Sequence, residues 1–587
     1  MTLIDSTADD AERTPAAAVA PSEVELVKLA SNRLRGGLPD AVTSDAPTFD
    51  DDDAVLLKFH GVYQQDDRDK RVKRGEARDR AWQMMVRLTI PGGVLSAAQY
   101  LALDAFADRF GNGTLRVTTR QSIQFHGVLK GNLKSLLAAI SGELLTTVAA
   151  CGDVSRNVMA SPAPIHDEVH RVVQEVARGV ATELAPRTNA YFEIWLDGER
   201  VTDSREEEEP VYGDSYLPRK FKVGVAIDTD NSVDLYSYDC GLVAVTRDGT
   251  VLGYNLLVGG GFGMTHNKAS TFARVASTIA FVEPEYAVAA VRAVCELYRD
   301  EGNRSDRRHA RLKYLVEQWG ADRFTEELRG RVPFTLHPPA AVADPIQHDF
   351  LGVHPQGDGR FFAGVFVQSG RIGDHDDVRT RSAFREIVST VQPGVRLTPM
   401  QSVLFTDLTE SDVGKIKRIL AAHGVLGEGE LSNTVRYSMA CPAMPTCGLA
   451  LAESERALPA VLAQIEQELA RLAVADVPLT VRMTGCPNGC ARPYNADIGF
   501  VGRRPGVYHV FVGGGLRGDR LSDLFAADVK VEQLIPTLRP LLERFAAERH
   551  PGEGVGDYYQ RVAGNDAPRR ILTGQEKPTA ARIQGSA

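Results

Sequence analysis

The chain reads as an α+β protein made by duplicating a two-domain unit, a pseudo-twofold architecture predicted by two internal echoes and by length. LRVTTRQSIQF (Leu115 to Phe125) returns as VRLTPMQSVLF (Val395 to Phe405), with Arg, Thr, Gln, Ser and Phe in register. GYNLLVGGG (Gly253 to Gly261) returns, in the same order, as GVYHVFVGGG (Gly506 to Gly515). A repeated order of echoes marks a duplicated unit. At 587 residues the chain exceeds one hydrophobic core, and roughly 150 residues per domain gives about four units.

Each copy of the first echo follows a strand-then-turn signal, VRLTIPGG (Val86 to Gly93) or GVFVQSGR (Gly364 to Arg371), and a helix-like stretch. The boundaries expected are a disordered leader over 1–50, a half-domain repeat over 51–150 and an α+β domain over 151–335. A second half-domain repeat over 340–430, an α+β domain over 431–565 and a tail over 566–587 complete the division. Between the halves of such a molecule a cleft is expected, where a large ligand binds. Gly-rich loops at 259–261 and 513–515 let backbone approach it.

Hydrophobic residues make up 43% and charged residues 25% of the chain. No apolar run of about 18 residues suggests a membrane span. A formal charge of −10 argues against general nucleic-acid affinity. Seven cysteines in so long a chain argue against a disulfide framework and for a reducing cytoplasm. Cys151, Cys240 and Cys295 read as small buried hydrophobes. The acidic runs Asp50 to Asp53 and Glu206 to Glu209 read as solvated loops, with partner docking as the alternative.

The remaining four cysteines fall in CPAMPTC (Cys441, Cys447) and TGCPNGC (Cys486, Cys490). Thiolates at two short spacings hold a soft metal centre, and intervening Pro and Gly free backbone N–H groups to face the sulfurs. Zinc suits the second pair, but the gap from Cys441 to Cys447 is wide for a zinc knuckle, and an iron–sulfur cluster tolerates it better. Basic residues meanwhile concentrate in TLRVTTRQSIQFHG, LPRKFKVG and NRSDRRHARLKY, beside apolar and β-branched neighbours. Cations so placed need anions.

CPAMPTCGLALAESERALP and RMTGCPNGCARPYNADIGFVG, with FHGVYQQDDRD, TTRQSIQFHG, CGDVSRNV, YLPRKFKV and NLLVGGG, resemble the siroheme-containing sulfite and nitrite reductases. The likeness runs from about Leu56 to about Gly564. It implies the duplicated nitrite/sulfite reductase fold, with ferredoxin-like half-domains and two siroheme/[4Fe–4S] α+β domains. It implies a [4Fe–4S] cluster on Cys441, Cys447, Cys486 and Cys490, the last also an axial ligand of siroheme iron. Siroheme carries eight carboxyl groups, and Arg116, Arg120, Gln124, His126, Arg311, Lys313 and Asn488 are implied to line it. The first four stand at even positions of what reads as one strand, hence on one face.

By the same resemblance Arg87, Arg156, Lys220 and Lys222 face the substrate. Lys220 and Lys222, two apart, share a face of the KFKVGVAI strand. The implied activity is assimilatory six-electron reduction of sulfite to sulfide, with nitrite reduction to ammonia as the alternative. Nitrite enzymes of this type typically place Asn where Lys222 stands, which favours sulfite. The implied electron donor is an NADPH-oxidising flavoprotein or ferredoxin, since no dinucleotide fingerprint occurs in the chain itself.

Overall fold

A computed structural model describes residues 20–74, 77–187, 195–196, 199–200, 209–563 and 570–572. The described residues form four five-stranded sheets that pair off by topology. One runs Val62–Arg74, Ala77–Arg87, Ile123–Val128, Leu115–Val117, Arg371–Ile372; its counterpart runs Gly352–Pro355, Phe361–Val365, Val403–Leu408, Gly394–Leu397, Val94–Leu95. The last strand of each comes from the other half. Arg371 and Ile372 pair with Arg116 and Leu115, while Val94 and Leu95 pair with Arg396 and Val395. Each half-domain thus closes its partner's sheet edge, leaving one fewer unpaired backbone row to manage.

The helices agree with the duplication: Ala97–Phe110 and Thr380–Val391 precede the two echoes, and Lys130–Gly142 and Glu410–Ala422 follow them. One helix of each pair starts from a capping box, Ala97–Phe110 from Ser96 and Gln99 and Glu410–Ala422 from Thr409 and Asp412. Such a box satisfies two orphan N–H donors at each helix start. Side chains from both half-domains form one continuous core, in which Phe384 meets Phe405 edge to face at 5.2 Å. Gln121 and Gln401, equivalent in the two echoes, both adopt left-handed backbone, with φ of 49° and 65°. The Gln121 amide donates to Leu397 O at 3.2 Å, and the Gln401 amide donates to Val117 O at 3.4 Å and Ser369 O at 3.0 Å.

The other two sheets run Met159–Ala160, Val223–Ile227, Cys240–Arg247, Thr250–Val258, Ser277–Val282 and Ser438–Ala440, Val481–Thr484, Ile498–Arg504, Val507–Val512, Asp523–Lys530. Both carry two parallel pairings followed by two antiparallel ones. The strand Val223–Ile227 is buried along its whole length, the pattern of a sheet covered on both faces. Cys240 and Cys295 lie in the first of these cores.

Three expectations need correction. Residues 20–50 are not a loose leader: Glu23–Ala30 is a helix whose fully buried Lys28 donates to Leu217 O at 2.7 Å and lies 3.8 Å from Asp153. The same Lys28 pairs with Glu25 one turn before it, and Glu25 pairs with the distant Arg304, long-range partners that the short segment does not reveal; residues 1–19 lie outside the described residues. In the expected tail, Arg570–Leu572 pairs antiparallel with Phe272–Arg274. The run Asp50 to Asp53 is the start of the helix Asp51–Leu57, where Asp50 accepts from Asp53 N at 2.8 Å and acidic groups meet the positive end of the helix dipole. Glu206 to Glu208 lie outside the described residues, and Glu209 is buried, accepting from Arg187 N at 2.7 Å.

Across the two half-domains Arg381 bonds Asp104 at 2.6 Å and Asp108 at 2.6 Å, with Arg385 as a second partner of both. Asp104 is 2% exposed, so losing Arg381 leaves a buried carboxylate with Arg385, a half-exposed arginine, as its remaining cation. Because Arg385 still pairs with Asp104, Arg381→Ala is expected to lower stability by about 1–2 kcal/mol, less than a fully unpaired buried charge would cost, read as a drop in urea midpoint; Arg381→Ala with Arg385→Ala should cost more than the two single changes summed. Equal midpoints for wild type and Arg381→Ala would refute the pair's role.

Candidate active site

The site lies where the first half-domain sheet meets the two larger units. Ala77–Arg87, Ile123–Val128 and Leu115–Val117 are adjacent strands, and Arg87 pairs with Gln124, which pairs with Arg116. The stretch from Arg116 to His126 is therefore a hairpin and not the single strand expected. Gln121, at φ 49°, turns the chain, and Thr118 N donates to Ser122 O at 2.8 Å. Arg116, Gln124 and His126 keep a common face through cross-strand pairing; Arg120 belongs to the turn.

Arg87 donates to Cys151 Sγ at 3.2 Å. With its oxygen turned to Arg87, the Gln124 amide accepts at 2.5 and 3.0 Å. Arg120 donates to Asn157 O and lies 4.7 Å from the Tyr238 ring centroid, yet its Nε and Nη1 are buried without a partner among the described residues. Both ring nitrogens of His126 are likewise buried and unpartnered there. Burial, then Arg371 and Arg116, hold His126 well below the usual imidazole range.

Lys220 and Lys222 stand just ahead of the strand Val223–Ile227 and not on it as expected, each half-buried on either side of the fully buried Phe221. Lys222 Nζ stands 5.8 Å from the Tyr238 ring. Burial, followed by Arg311, Arg219 and Arg156, lowers Lys220 to about 7. Burial and then Lys220 drive Lys222 well below the ordinary lysine value. Arg156 donates to Gly152 O at 2.9 Å and to Ala150 O at 3.3 Å. Among the described residues, Arg87, Arg120, Arg156, Lys220 and Lys222 form no ion pair with a carboxylate. The nearby acids are taken: Asp153 binds Arg307 and Arg219, and Asp239 binds Arg311 at 2.7 Å.

Two residues expected to line a cofactor are committed elsewhere. Arg116 bonds Glu455 at 3.1 Å, Ser369 O at 2.9 Å and Ala440 O at 2.8 Å, bracing the strand that leads into Cys441. Lys313 is fully buried, and its ammonium donates to the carbonyls of Gly261, Gly263 and Phe272, fixing the glycine loop. Arg311 reaches the site's edge but is held in two-pronged contact by Asp239. Sequence pattern places a basic residue on a face without saying which acceptor the chain brings to it.

The four cysteine thiols converge on one region, each opposing ionisation of the next. Burial, then Cys490, push Cys441 up to about 12, and the same causes raise Cys447 and Cys486. Cys441, Cys447 and Cys486 are largely enclosed, while Cys490 opens onto the cationic cleft. Backbone N–H groups face the sulfurs: Gly485 N lies 3.3 Å from Cys441 Sγ, and those of Leu449, Ala450 and Asn488 serve Cys447 and Cys486. Gly489, at φ 61°, lets the CPNGC turn pass Tyr494, which an added Cβ would meet at 2.8 Å. Asn488 sits half-buried in that turn. Among the described residues no group of three or more His, Cys, Asp or Glu surrounds a single point that could hold one metal ion. A polynuclear cluster binds one thiolate per iron and suits thiols set farther apart.

Curated proteins match almost end to end. The sulfite reductase [NADPH] hemoprotein beta-component of Staphylococcus haemolyticus is 42% identical over 92% of this chain and 94% of that protein. The chain belongs to the nitrite and sulphite reductase family. Its model for the nitrite and sulphite reductase 4Fe-4S domain matches residues 177–336, and its ferredoxin-like half-domain model matches 77–142 and 354–423. The sulfite reductase [ferredoxin] of Synechococcus elongatus is 43% identical over 94% of this chain and 90% of its own. The solved structure of Mycobacterium tuberculosis NirA protein superposes with a TM-score of 0.74 at 24% identity, over 92% of this chain and 97% of that one, which shows the shared fold.

The residues present fit the family's cofactors. Cleft cations without carboxylate partners and the orphaned nitrogens of Arg120 and His126 suit a ligand rich in carboxylates, and four thiols whose thiolates would repel one another suit a cationic cluster. Sequence reading missed several contributors. Arg68 spans from the first half-domain to Ala450 O at 2.8 Å and Cys447 O at 2.7 Å. Tyr238, Asp239 and Asp153 set the cation geometry, and Cys151, read only as a core filler, touches Arg87. None sits in a pattern that spacing alone would single out.

In the cofactor-free chain Lys220 is expected to be acetylated at pH 7 on the order of 10² times faster than surface lysines, because a lowered pKa leaves more free amine, and Lys222 is expected to exceed them in the same direction. Peptide mass spectrometry reads this, and uniform rates would contradict it. Cys486→Ser is expected to reduce acid-labile sulfide per chain to near zero while preserving the far-UV spectrum; retained sulfide would exclude Cys486 as a ligand.

Proposed function

We propose that this chain is the hemoprotein of an assimilatory sulfite reductase, reducing sulfite to sulfide with six electrons and as many protons. The supporting observation is the set of cleft cations without carboxylate partners beside the one open thiol, together with relatives named as sulfite reductases. In this reading siroheme and a [4Fe–4S] cluster supply the redox chemistry when bound. Cys441, Cys447, Cys486 and Cys490 hold the cluster, and Cys490 also meets the siroheme. Arg120, Gln124, His126, Arg311 and Asn488 orient the siroheme carboxylates, and charged pairs in such a dry site are strong and directional.

Arg87, Arg156, Lys220 and Lys222 hold the sulfite oxygens by charge, each stabilising oxygen that becomes more basic as reduction proceeds. Lys220, poised near neutrality, is suited to give a proton to a departing oxygen and take another from solvent. Tyr238 keeps Arg120 and Lys222 apart and aimed by its ring face. The units 51–150 and 340–430 frame the cleft, and 151–335 and 431–565 supply its walls. Electrons come from an NADPH-oxidising flavoprotein or from ferredoxin, the donors that relatives' names carry. No described helix is long and apolar enough to cross a membrane, and all seven cysteines are free thiols, which suits a cytoplasmic enzyme.

Side-by-side turnover with sulfite and nitrite tests the reading; a higher kcat/KM for nitrite would replace it with nitrite reduction to ammonia. Lys222→Ala is expected to keep both cofactors and lower sulfite kcat/KM by roughly 10²-fold. Lys222→Asn should raise the nitrite-to-sulfite ratio. Full sulfite activity in Lys222→Ala would remove this lysine from the substrate site.

A further inference from the structure

The two larger units meet through residues that occupy the same place in each repeat. Asp234 precedes the short helix Leu235–Ser237 and Arg492 precedes Pro493–Asn495. Both have left-handed backbone, φ 59° and ψ 53° against φ 55° and ψ 53°. Each stands five residues before an aspartate, Asp239 or Asp497, that accepts backbone N–H bonds. Equivalent residues near a pseudo-twofold axis face each other, and two identical charges there would repel. Here the signs differ, and the Asp234 carboxylate lies 2.5 Å from Arg492 Nε.

The same carboxylate, fully buried, also accepts from Arg482 at 2.8 Å and Asn495 at 2.7 Å. Arg482 in turn donates to Arg492 O at 3.2 Å. The far end of Arg492 donates to Thr119 O at 3.0 Å and Pro399 O at 3.1 Å, themselves equivalent positions in the first echo. Thr119 Oγ1 donates to Cys490 O at 3.1 Å. All four units of the duplicated chain are thereby tied to the backbone of one cysteine.

We propose that Asp234 is a positioning residue for Cys490, setting through Arg492 and Thr119 where that thiolate stands between the cluster and the siroheme. The inference rests on the functional reading above. It assigns the first repeat, which has no cysteine ligand, a part in placing the second repeat's thiolate. It also explains a non-glycine left-handed residue two positions after Cys490: Arg492 accepts that backbone conformation because its guanidinium is held at both ends.

The test compares purified holoenzyme of wild type, Asp234→Asn, Thr119→Val and Asp497→Asn by visible and EPR spectra, iron and sulfide content and melting temperature. Asp497 is equally buried and bonds Thr480 and Gly556, away from the cysteine turn, so its variant is expected to melt earlier with wild-type spectra. Asp234→Asn is expected to retain iron and sulfide and lose at least tenfold of the coupled siroheme–cluster signature. Thr119→Val should shift that signature in the same sense at nearly unchanged melting temperature. Wild-type spectra in Asp234→Asn overturn the proposal; if that variant does not fold, unchanged spectra in Thr119→Val overturn it. Wild type with no siroheme band would instead sink the functional reading, and the variants' cluster EPR line shape would then decide the placement of Cys490.

Discussion

Positive charge held inside the protein without its own counter-charge is the constraint around which this molecule is organised. Five cations face one cleft while Asp153 and Asp239 are occupied by other arginines. Removing such groups from water costs several kcal/mol each unless an anion returns the interaction. The chain meets that cost with large surrounding cores and a depressed Lys220, which eases repulsion by sharing its proton with solvent. A polyanionic cofactor completes the electrostatics, so binding and activation of the site are one event.

Duplication supplies the geometry. Equivalent sheets give two walls of similar shape, and divergence at matched positions gives them unlike chemistry. The second repeat places Cys486 and Cys490 after its second strand, whereas the first places lysines ahead of its own. The matched pair Gln121 and Gln401 bonds across the half-domains symmetrically, while Asp234 and Arg492 bond across the larger units by opposite charge. Symmetry is retained where backbone must be satisfied and broken where charge must be.

The fold was legible because repeats and strand periodicity are local and survive in one sequence. The four cysteines were legible because short spacing leaves few alternatives. The long-range partners were hidden. Arg116 shares a face with Gln124, yet Glu455 and Ala440, more than three hundred residues later, decide what it does. Lys313 carries the charge expected of a cofactor contact, but two carbonyls of a glycine loop and one of the strand beside it consume its donors. Arg68 and Lys28 act on groups more than a hundred residues away, and Arg120 leaves the strand because Gln121 turns the chain. Charge and period give a side chain its face; only the tertiary path supplies its partner.

The exchange of Val94–Leu95 and Arg371–Ile372 between half-domains has a consequence for synthesis. As the chain leaves the ribosome, the first half-domain has its core strands but lacks its closing edge until Ile372 has emerged. The whole first cofactor unit is made before that edge arrives. The half-domains are therefore not independent modules that dock after folding: each is finished only by the other, and the cleft's frame matures late, after the walls it will enclose.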